Sequence, residues 1–357
     1  MRGLAAALLL LLVATAGPVL AATGDAPHID NSVGVDAGAG QIIDGNDALS
    51  ISKDIFSRRD DAYGAFQRGF YLTALALALP RAEKADPAAQ TLIAEIYSKG
   101  LGVAENVARA SSWYALAAKN GDMLAAFQLG LLYLQGDGVP KNRQHAADLF
   151  KQAADKGYPL AQYNLALLHI DGQDASPSLI DAAALMQKAA ACGLAEAQYD
   201  YGTMLIEGAG VAPNPAEGAK QIGLAARQGL LDAQVDYATL LYLGQGIGKN
   251  LHEAVGWYSR AASAGNPVAQ NRYGKLLAVG EGVPLDLKQA AMWRALARRQ
   301  GLTDPLFDKL LASISPKDLA DAEELARFWP SKPPTAEDAA KAAATAASAA
   351  STKPAGG

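Results

Sequence analysis

Four histidines and one cysteine are the side chains of this 357-residue chain with the widest scope for metal or nucleophilic chemistry. The histidines are His28, His145, His169 and His252. Imidazole ligands come in pairs one helical turn apart, or in clusters with thiolates and carboxylates. No two of these four have such a spacing within one repeat. Cys192 is the only cysteine. It can form no intramolecular disulfide, complete no cysteine-based zinc site, and lacks the histidine signature of a thiol nucleophile. Gly-x-Gly stretches such as Gly136-Asp137-Gly138 suggest phosphate loops, but no strand precedes them and no Lys-Ser/Thr follows. Asp137 and Glu281 lie between turn glycines, yet a calcium loop needs several oxygen ligands in one place. A Gly-x-Ser-x-Gly elbow with partner residues is also missing. The sequence therefore assigns no catalytic residue, no metal ligand and no cofactor, and the expectation is a non-enzymatic protein.

The glycines mark architecture instead. Gly recurs every 36 residues at 121, 157, 193, 229, 265 and 301, and in a second register at 100, 136, 172, 208, 244 and 280. Two positions after the second register it recurs at 102, 138, 210, 246 and 282, with Asp174 as the exception. Ala keeps the same step at 89, 125, 161, 197, 233 and 269. Six copies without an insertion frame repeats at 87–122, 123–158, 159–194, 195–230, 231–266 and 267–302. Each copy reads as two helices. Helix A of the first runs from Pro87 to Lys99, with Ala89, Ile93, Ile96 and Tyr97 on one face, and Gly100 ends it. Helix B opens after a residue that caps well: Asn106, Asn142, Ser178, Asn214, Asn250 or Asp286. Its inward stripe is Ala110, Trp113, Tyr114, Ala117 and Ala118. This explains a composition that is 50% hydrophobic but only 7% aromatic, because small side chains let helices nest.

The pattern resembles the Sel1-like repeat family, a relative of the tetratricopeptide repeats. In the second copy Ala125, Leu129, Gly130, Tyr133, Gly136, Gly138, Val139, Asn142, Ala146, Phe150, Ala153, Ala154 and Gly157 carry the resemblance. Trp257, Tyr258, Ala261, Ala262 and Gly265 carry it in the fifth. The resemblance implies an all-α, right-handed α-solenoid of antiparallel helix pairs. It covers 87–302 strongly, with a leading helix pair at 58–86 and capping helices at 303–330. It also implies adaptor or regulatory roles in bacterial envelopes. Family members with regularly paired cysteines have further roles, which the lone Cys192 does not support. Two copies depart from the pattern. The third loses its second turn glycine at Asp174, and the fourth carries Gly218 and Gly223 inside helix B, each expected to cost about 1 kcal/mol against Ala. The softest stretch is therefore expected at 172–224.

The ends differ from the middle. Arg2, the apolar run Leu4–Ala16 and the small residues before Ala22 read as an export signal at 1–21. The apolar run is shorter than the roughly 20 residues of a membrane span, so no integral span is expected after cleavage. Residues 22–57 read as a flexible leader and 331–357 as an Ala/Lys/Pro tail without large apolar side chains. The expected location is the periplasm, or else the medium by secretion. A formal net charge of −5 offers no basic excess for nucleic acid.

What remains for function is surface. Helix A lines the concave side by analogy with tetratricopeptide repeats, and positions that vary between copies are its contact candidates. One column is Leu92, Gln128, Asn164, Asp200, Asp236 and Arg272. A turn away stand Glu95, Leu131, Leu167, Thr203, Thr239 and Lys275. Gln128, Asn164, Asp200, Thr203, Asp236, Thr239, Arg272 and Lys275 are the candidate partner-binding residues. The expected partner is another protein or peptide, of the cell envelope, with the chain acting as a scaffold. Restraint of a membrane sensor kinase is the alternative. A cell-wall-acting protein is a third reading, and it needs a convergent catalytic set that the sequence does not supply.

Overall fold

The computed structural model describes residues 61–172 and 178–331. The export signal at 1–21, the leader at 22–57 with His28, residues 58–60, turn residues 173–177 and the tail from 332 onward lie outside them. The chain divides into two compact units, Met1–Pro177 and Ser178–Gly357. The first unit contains α1 (Asp61–Gln67), α2 (Tyr71–Ala82), α3 (Pro87–Ser98), α4 (Val107–Lys119), α5 (Met123–Gln135), α6 (Arg143–Ala154) and α7 (Pro159–Asp171). The second contains α8 (Leu179–Ala191), α9 (Ala195–Glu207), α10 (Pro215–Arg227), α11 (Leu231–Leu243), α12 (Leu251–Ser263), α13 (Pro267–Val279), α14 (Leu287–Arg299), α15 (Pro305–Leu310) and α16 (Pro316–Phe328), with a 3₁₀ turn at Leu311–Ser313. Among the described residues there is no strand. The molecule is an α-solenoid of tandem helix pairs, as the periodicity requires.

The turns explain why the pairs form. Helix A ends on a left-handed glycine, Gly136, Gly172, Gly208, Gly244 or Gly280, because a residue without Cβ adopts that conformation at no steric cost. The residue that caps helix B then acts twice. Its side-chain oxygen accepts from the third residue onward, as Asn106 does from the Arg109 amide at 2.8 Å. Its own N–H donates back to the carbonyl nine residues earlier. These bonds are Asn106 to Tyr97 at 2.8 Å, Asn142 to Tyr133 at 2.8 Å, Asn214 to Leu205 at 2.7 Å, Asn250 to Leu241 at 2.9 Å and Asp286 to Leu277 at 2.9 Å.

Packing follows from small residues. Gly202 on α9 faces α10 so closely that an added Cβ would lie 2.9 Å from the Gly218 carbonyl oxygen and 2.7 Å from Ile222. A Cβ on Gly218 would in turn meet the Gly202 oxygen and Ile206, each at 2.7 Å. Contacts of 202 with 222 and of 206 with 218 can coexist only if α9 and α10 run antiparallel. Gly223 likewise admits the Tyr237 ring, 2.8 Å from where its Cβ would stand. The glycines inside α10 thus have packing roles, which the sequence reading of them as weak points did not include. Gly130 makes room for Phe150, and Gly274 for Phe307. Both phenylalanines are fully buried.

A second device joins successive pairs. Gln90, Gln162, Gln198, Gln234 and Gln270 are all buried. Each side-chain amide donates to the carbonyl eight residues earlier, on Ala82, Ala154, Ala190, Ala226 and Ala262 respectively. Each of these carbonyls, at the end of the preceding helix, also accepts from the backbone N–H three residues on, so the glutamine gives it a second bond.

After the last repeat, α15 and α16 close the second unit. Asp304 caps α15, accepting from the Phe307 amide at 3.1 Å. Arg294 is buried and clasps Asp308 through two bonds of 2.7 and 3.0 Å, while also donating to the Leu302 carbonyl at 2.7 Å. Trp329 packs edge-on against Trp293, with centroids 4.8 Å apart.

Two glycine substitutions separate backbone strain from crowding. A Cβ at Gly210 (φ +72) would lie 1.9 Å from the Leu179 carbonyl oxygen, whereas Gly265 (φ +97) has nothing within 4 Å. Gly265→Ala is expected to cost about 1 kcal/mol in urea unfolding, from its conformation alone. Gly210→Ala is expected to cost more than about 2 kcal/mol, because backbone must also move.

Candidate functional site

Each helix A buries most of its circumference and leaves a stripe half-exposed; seven of the eight candidate residues are half-buried on this stripe, and Asp200 is buried. In the first unit this stripe holds Gln128 and Asn164, with Leu131 and Leu167 one turn on, all half-buried. Asn164 donates to the Leu160 carbonyl at 2.8 Å. Glu95 accepts from the Tyr114 hydroxyl at 2.8 Å and pairs with Lys99 at 2.7 Å. The first-unit stripe is therefore mainly leucine and amide.

The second unit builds a different surface on α9, α11 and α13. Asp200 is 8% exposed and forms the floor of the face rather than its rim. Thr203 turns its hydroxyl onto the Tyr199 carbonyl at 3.1 Å. Asp236 accepts from the Tyr199 hydroxyl at 2.8 Å. Thr239 donates to the Val235 carbonyl at 2.8 Å and shares a 2.9 Å hydrogen bond with the Tyr258 hydroxyl. Arg272 donates to Thr239 and stands 5.8 Å over the Tyr258 ring. Lys275 pairs with Asp304, which also accepts from Asn271 at 2.7 Å. The structure thus connects Thr239 with Arg272 directly and both with the Tyr258 hydroxyl, joins Asp236 to Tyr199, and places Lys275 in a separate cluster that ties α13 to the C-terminal cap.

Charge on this face is uneven. Neither α9 nor α11 contains a lysine or arginine, while they carry Glu196, Asp200, Glu207, Asp232 and Asp236. Burial raises the Asp236 carboxyl above its ordinary range. The Tyr199 hydroxyl and Arg272 oppose that rise, and Asp232 adds to it. Burial, with the Asp236 charge beside it, pushes the Tyr199 phenol well above its usual value. Asp304 goes the other way. Burial alone would raise it, but the bonds from Lys275, Asn271 and the Phe307 amide outweigh burial and hold it at about 2.

Tyr199, Asp232, Glu196 and Tyr258 belong to this face but were not among the sequence candidates. Glu196 and Asp232 carry a readable signal, since each precedes a candidate aspartate by four residues and so lies on the same helical stripe. Tyr258 occupies a scaffold position of helix B, which hides its role. Of the chemically capable side chains outside the face, His145 packs edge-on against Tyr133 at 4.4 Å, and Cys192 is exposed. Among the described residues no group of three or more His, Cys, Asp or Glu side chains is arranged to hold a metal ion. No helix of the described residues is long and apolar enough to cross a membrane. The arrangement offers hydrogen-bonding and charged groups on a firm helical support, which is the chemistry of recognition.

Tandem helix pairs with a fixed scaffold and a variable helix-A face define a tetratricopeptide-like repeat protein. The Sel1 repeat model matches residues 87–122, 124–158, 159–194, 195–230, 231–266 and 267–302, and the chain belongs to the Sel1 repeat family. Proteins built of Sel1 repeats generally mediate protein–protein interaction and are typically non-catalytic. Among solved structures, the chain is similar to a Sel1 repeat protein from Oxalobacter formigenes at 27% identity and a TM-score of 0.61, covering 67% of this chain and 98% of that one. It also shares its fold with a protective antigen of uropathogenic Escherichia coli strains that displays an SLR fold, at 22% identity and a TM-score of 0.62, covering 77% of this chain and 64% of the antigen. No curated protein matches the chain.

The Asp304 cluster has a definite pH signature. Its carboxyl is held below the unfolded value of 3.8, at about 2, so its contribution is complete above about pH 4 and drains away as pH falls toward 2. Asp304→Asn is expected to lower stability at pH 7 by about 1 kcal/mol or less, since the pair is partly exposed. The gap from the natural chain should close between pH 4 and 2 in urea titrations. A gap that stays constant with pH would show that Asp304 acts only as a cap.

Proposed function

We propose that this protein is an exported, non-enzymatic scaffold that holds a partner protein or peptide of the cell envelope on its helix-A faces. One observation carries the reading. Across six repeats the turn glycines, capping residues and buried alanines recur, while the half-exposed helix-A positions change from leucine and amide in the first unit to carboxylate and threonine in the second. Surface that varies on a constant frame is free to be matched to another molecule. Export rests on the segment 1–21, whose charged start, short apolar run and small residues before Ala22 fit a cleavable signal. The second-unit face suits polar recognition, because Asp236, Thr239 and Arg272 are held by Tyr199 and Tyr258 before any partner arrives, which lowers the ordering cost of binding.

Site-specific photo-crosslinking in living cells tests the proposal. A crosslinker at Gln128 or Asp232 is expected to trap a discrete envelope protein, whereas one at Lys220, exposed on helix B, traps none. The mature chain is expected in the periplasmic fraction, beginning at Ala22. Recovery from the cytoplasm with Met1 intact would overturn the export reading. Equal crosslinking from all three positions would overturn the helix-A reading.

A further inference from the structure

The C-terminal end of the second unit holds a cleft of about 760 Å³ between α14, the 3₁₀ turn and α16. Its floor is apolar, with Ala291 and Ala295 on α14, Leu311 and Ile314 after α15, and Leu319 on α16. Leu319 is 41% exposed, so apolar surface stands open to solvent here. The rim is charged, with Arg298 and Arg299 on α14 and with Glu323, Glu324 and Arg327 on α16. At the base, Arg294 and Asp308 neutralise each other. The rim groups have no such arrangement. Arg299 donates to a neutral acceptor, the Ala326 carbonyl, at 2.6 Å. Among the described residues the charged groups of Arg298, Glu323, Glu324 and Arg327 form no ion pair.

The chain runs past this cleft at the end of α16. Trp329 packs on Trp293, and the Ser331 amide donates to the Phe328 carbonyl at 2.8 Å. The exit is therefore fixed one turn beyond Arg327. The sequence that follows has the spacing of a helix B. In the fifth copy Asn250 is the cap, Glu253 follows it, Ala254 opens the stripe and Ala261-Ala262 closes it. Thr335, Asp338, Ala339 and Ala346-Ala347 stand at the same spacings. Threonine caps well, and an acid three residues on completes a capping box. Ala342 and Ala343 take the places of Trp257 and Tyr258. Such a stripe has no large side chain of its own, and the cleft offers Leu311, Ile314 and Leu319.

We infer that residues 335–347 are one more helix B, laid in this cleft with Ala339, Ala342, Ala343 and Ala346 on its floor. Thr335 is four residues beyond Ser331, a span of at most about 14 Å, so the segment starts beside its site. At helical spacing Asp338 borders the alanine stripe, where it meets the rim guanidiniums of Arg298 and Arg327. Glu337, Lys341, Thr345 and Ser348 fall on the opposite face. The array thereby ends in a helix with a polar outer side, as the end of a solenoid requires. Alanine, the strongest helix former, suits the segment to that role. The inference concerns the chain's own end and does not rest on the helix-A face binding a partner.

A photo-crosslinker at Ala340 of the purified full chain tests it. Internal crosslinks to 287–299 or 316–328 are expected by mass spectrometry, at a yield independent of protein concentration. Asp338→Arg is expected to lower that yield about fivefold, and so is Arg298→Glu with Arg327→Glu. All three substitutions together should restore it, since the charges are then exchanged. Both arginines are exposed, so reversing them spares the fold. Ala343→Pro should abolish the product by breaking the helix without altering charge. Crosslinks scattered over distant parts of the chain, or a yield that no variant changes, would overturn the proposal. A yield that rises with concentration would assign the cleft to the tail of a second copy and overturn the internal fit. Capture of another envelope protein in living cells, in place of the internal product, would overturn it equally. Failure of the triple variant to restore the yield would overturn the role of Asp338 at the rim.

Discussion

The double duty of Asn106, Asn142, Asn214, Asn250 and Asp286, each the residue before a helix B, is the constraint on which the rest of the structure depends. In each, the side chain caps the coming helix while the N–H reaches back nine residues to the helix just finished. One residue therefore sets both where helix B begins and how far it stands from helix A. With that distance fixed, only glycine fits at 202 and 218, and only a small residue at the alanine stripes. Cap, turn and close packing agree with one another, and such agreement across levels is what makes a sequence specify one fold.

The scaffold spends its large side chains sparingly. Phe150, Met186, Ile222 and Phe307 fill the space left between alanines and glycines. The polar interior is as ordered as the apolar one. Buried glutamines add a second bond to the carbonyls that end the preceding helices, and the remaining oxygens of Gln90, Gln198 and Gln270 anchor the next repeat. These joints make each pair lean on its neighbours, so the units are stabilised by nearest-neighbour terms rather than by one central core.

The fold was legible because its signals repeat. Turn glycines, capping residues and the Ala pairs could be compared across six copies, and among the described residues the helices and caps stand where that comparison puts them. The face was legible only as a stripe. That Asp236 would be held by Tyr199, or Lys275 by Asp304, depends on pairs of unlike residues from neighbouring repeats. Each such pair occurs once, so no periodicity reveals it. Asp200 illustrates the same limit, since its column is half-exposed in the repeats on either side while Asp200 itself is buried. The glycines of α10 looked like defects in isolation, because their partners Gly202 and Tyr237 stand on other helices.

The nine-residue reach of the capping bond has an evolutionary consequence. A single inserted residue in the A–B turn would misplace the cap and the return bond together, so such lengths are not open to gradual change. A whole copy, by contrast, presents the same two edges to its neighbours wherever it is placed. The gene can therefore lengthen or shorten its product in quanta of 36 codons, while the half-exposed stripe drifts one base at a time. Reach and recognition are in this way inherited through two separate kinds of mutation.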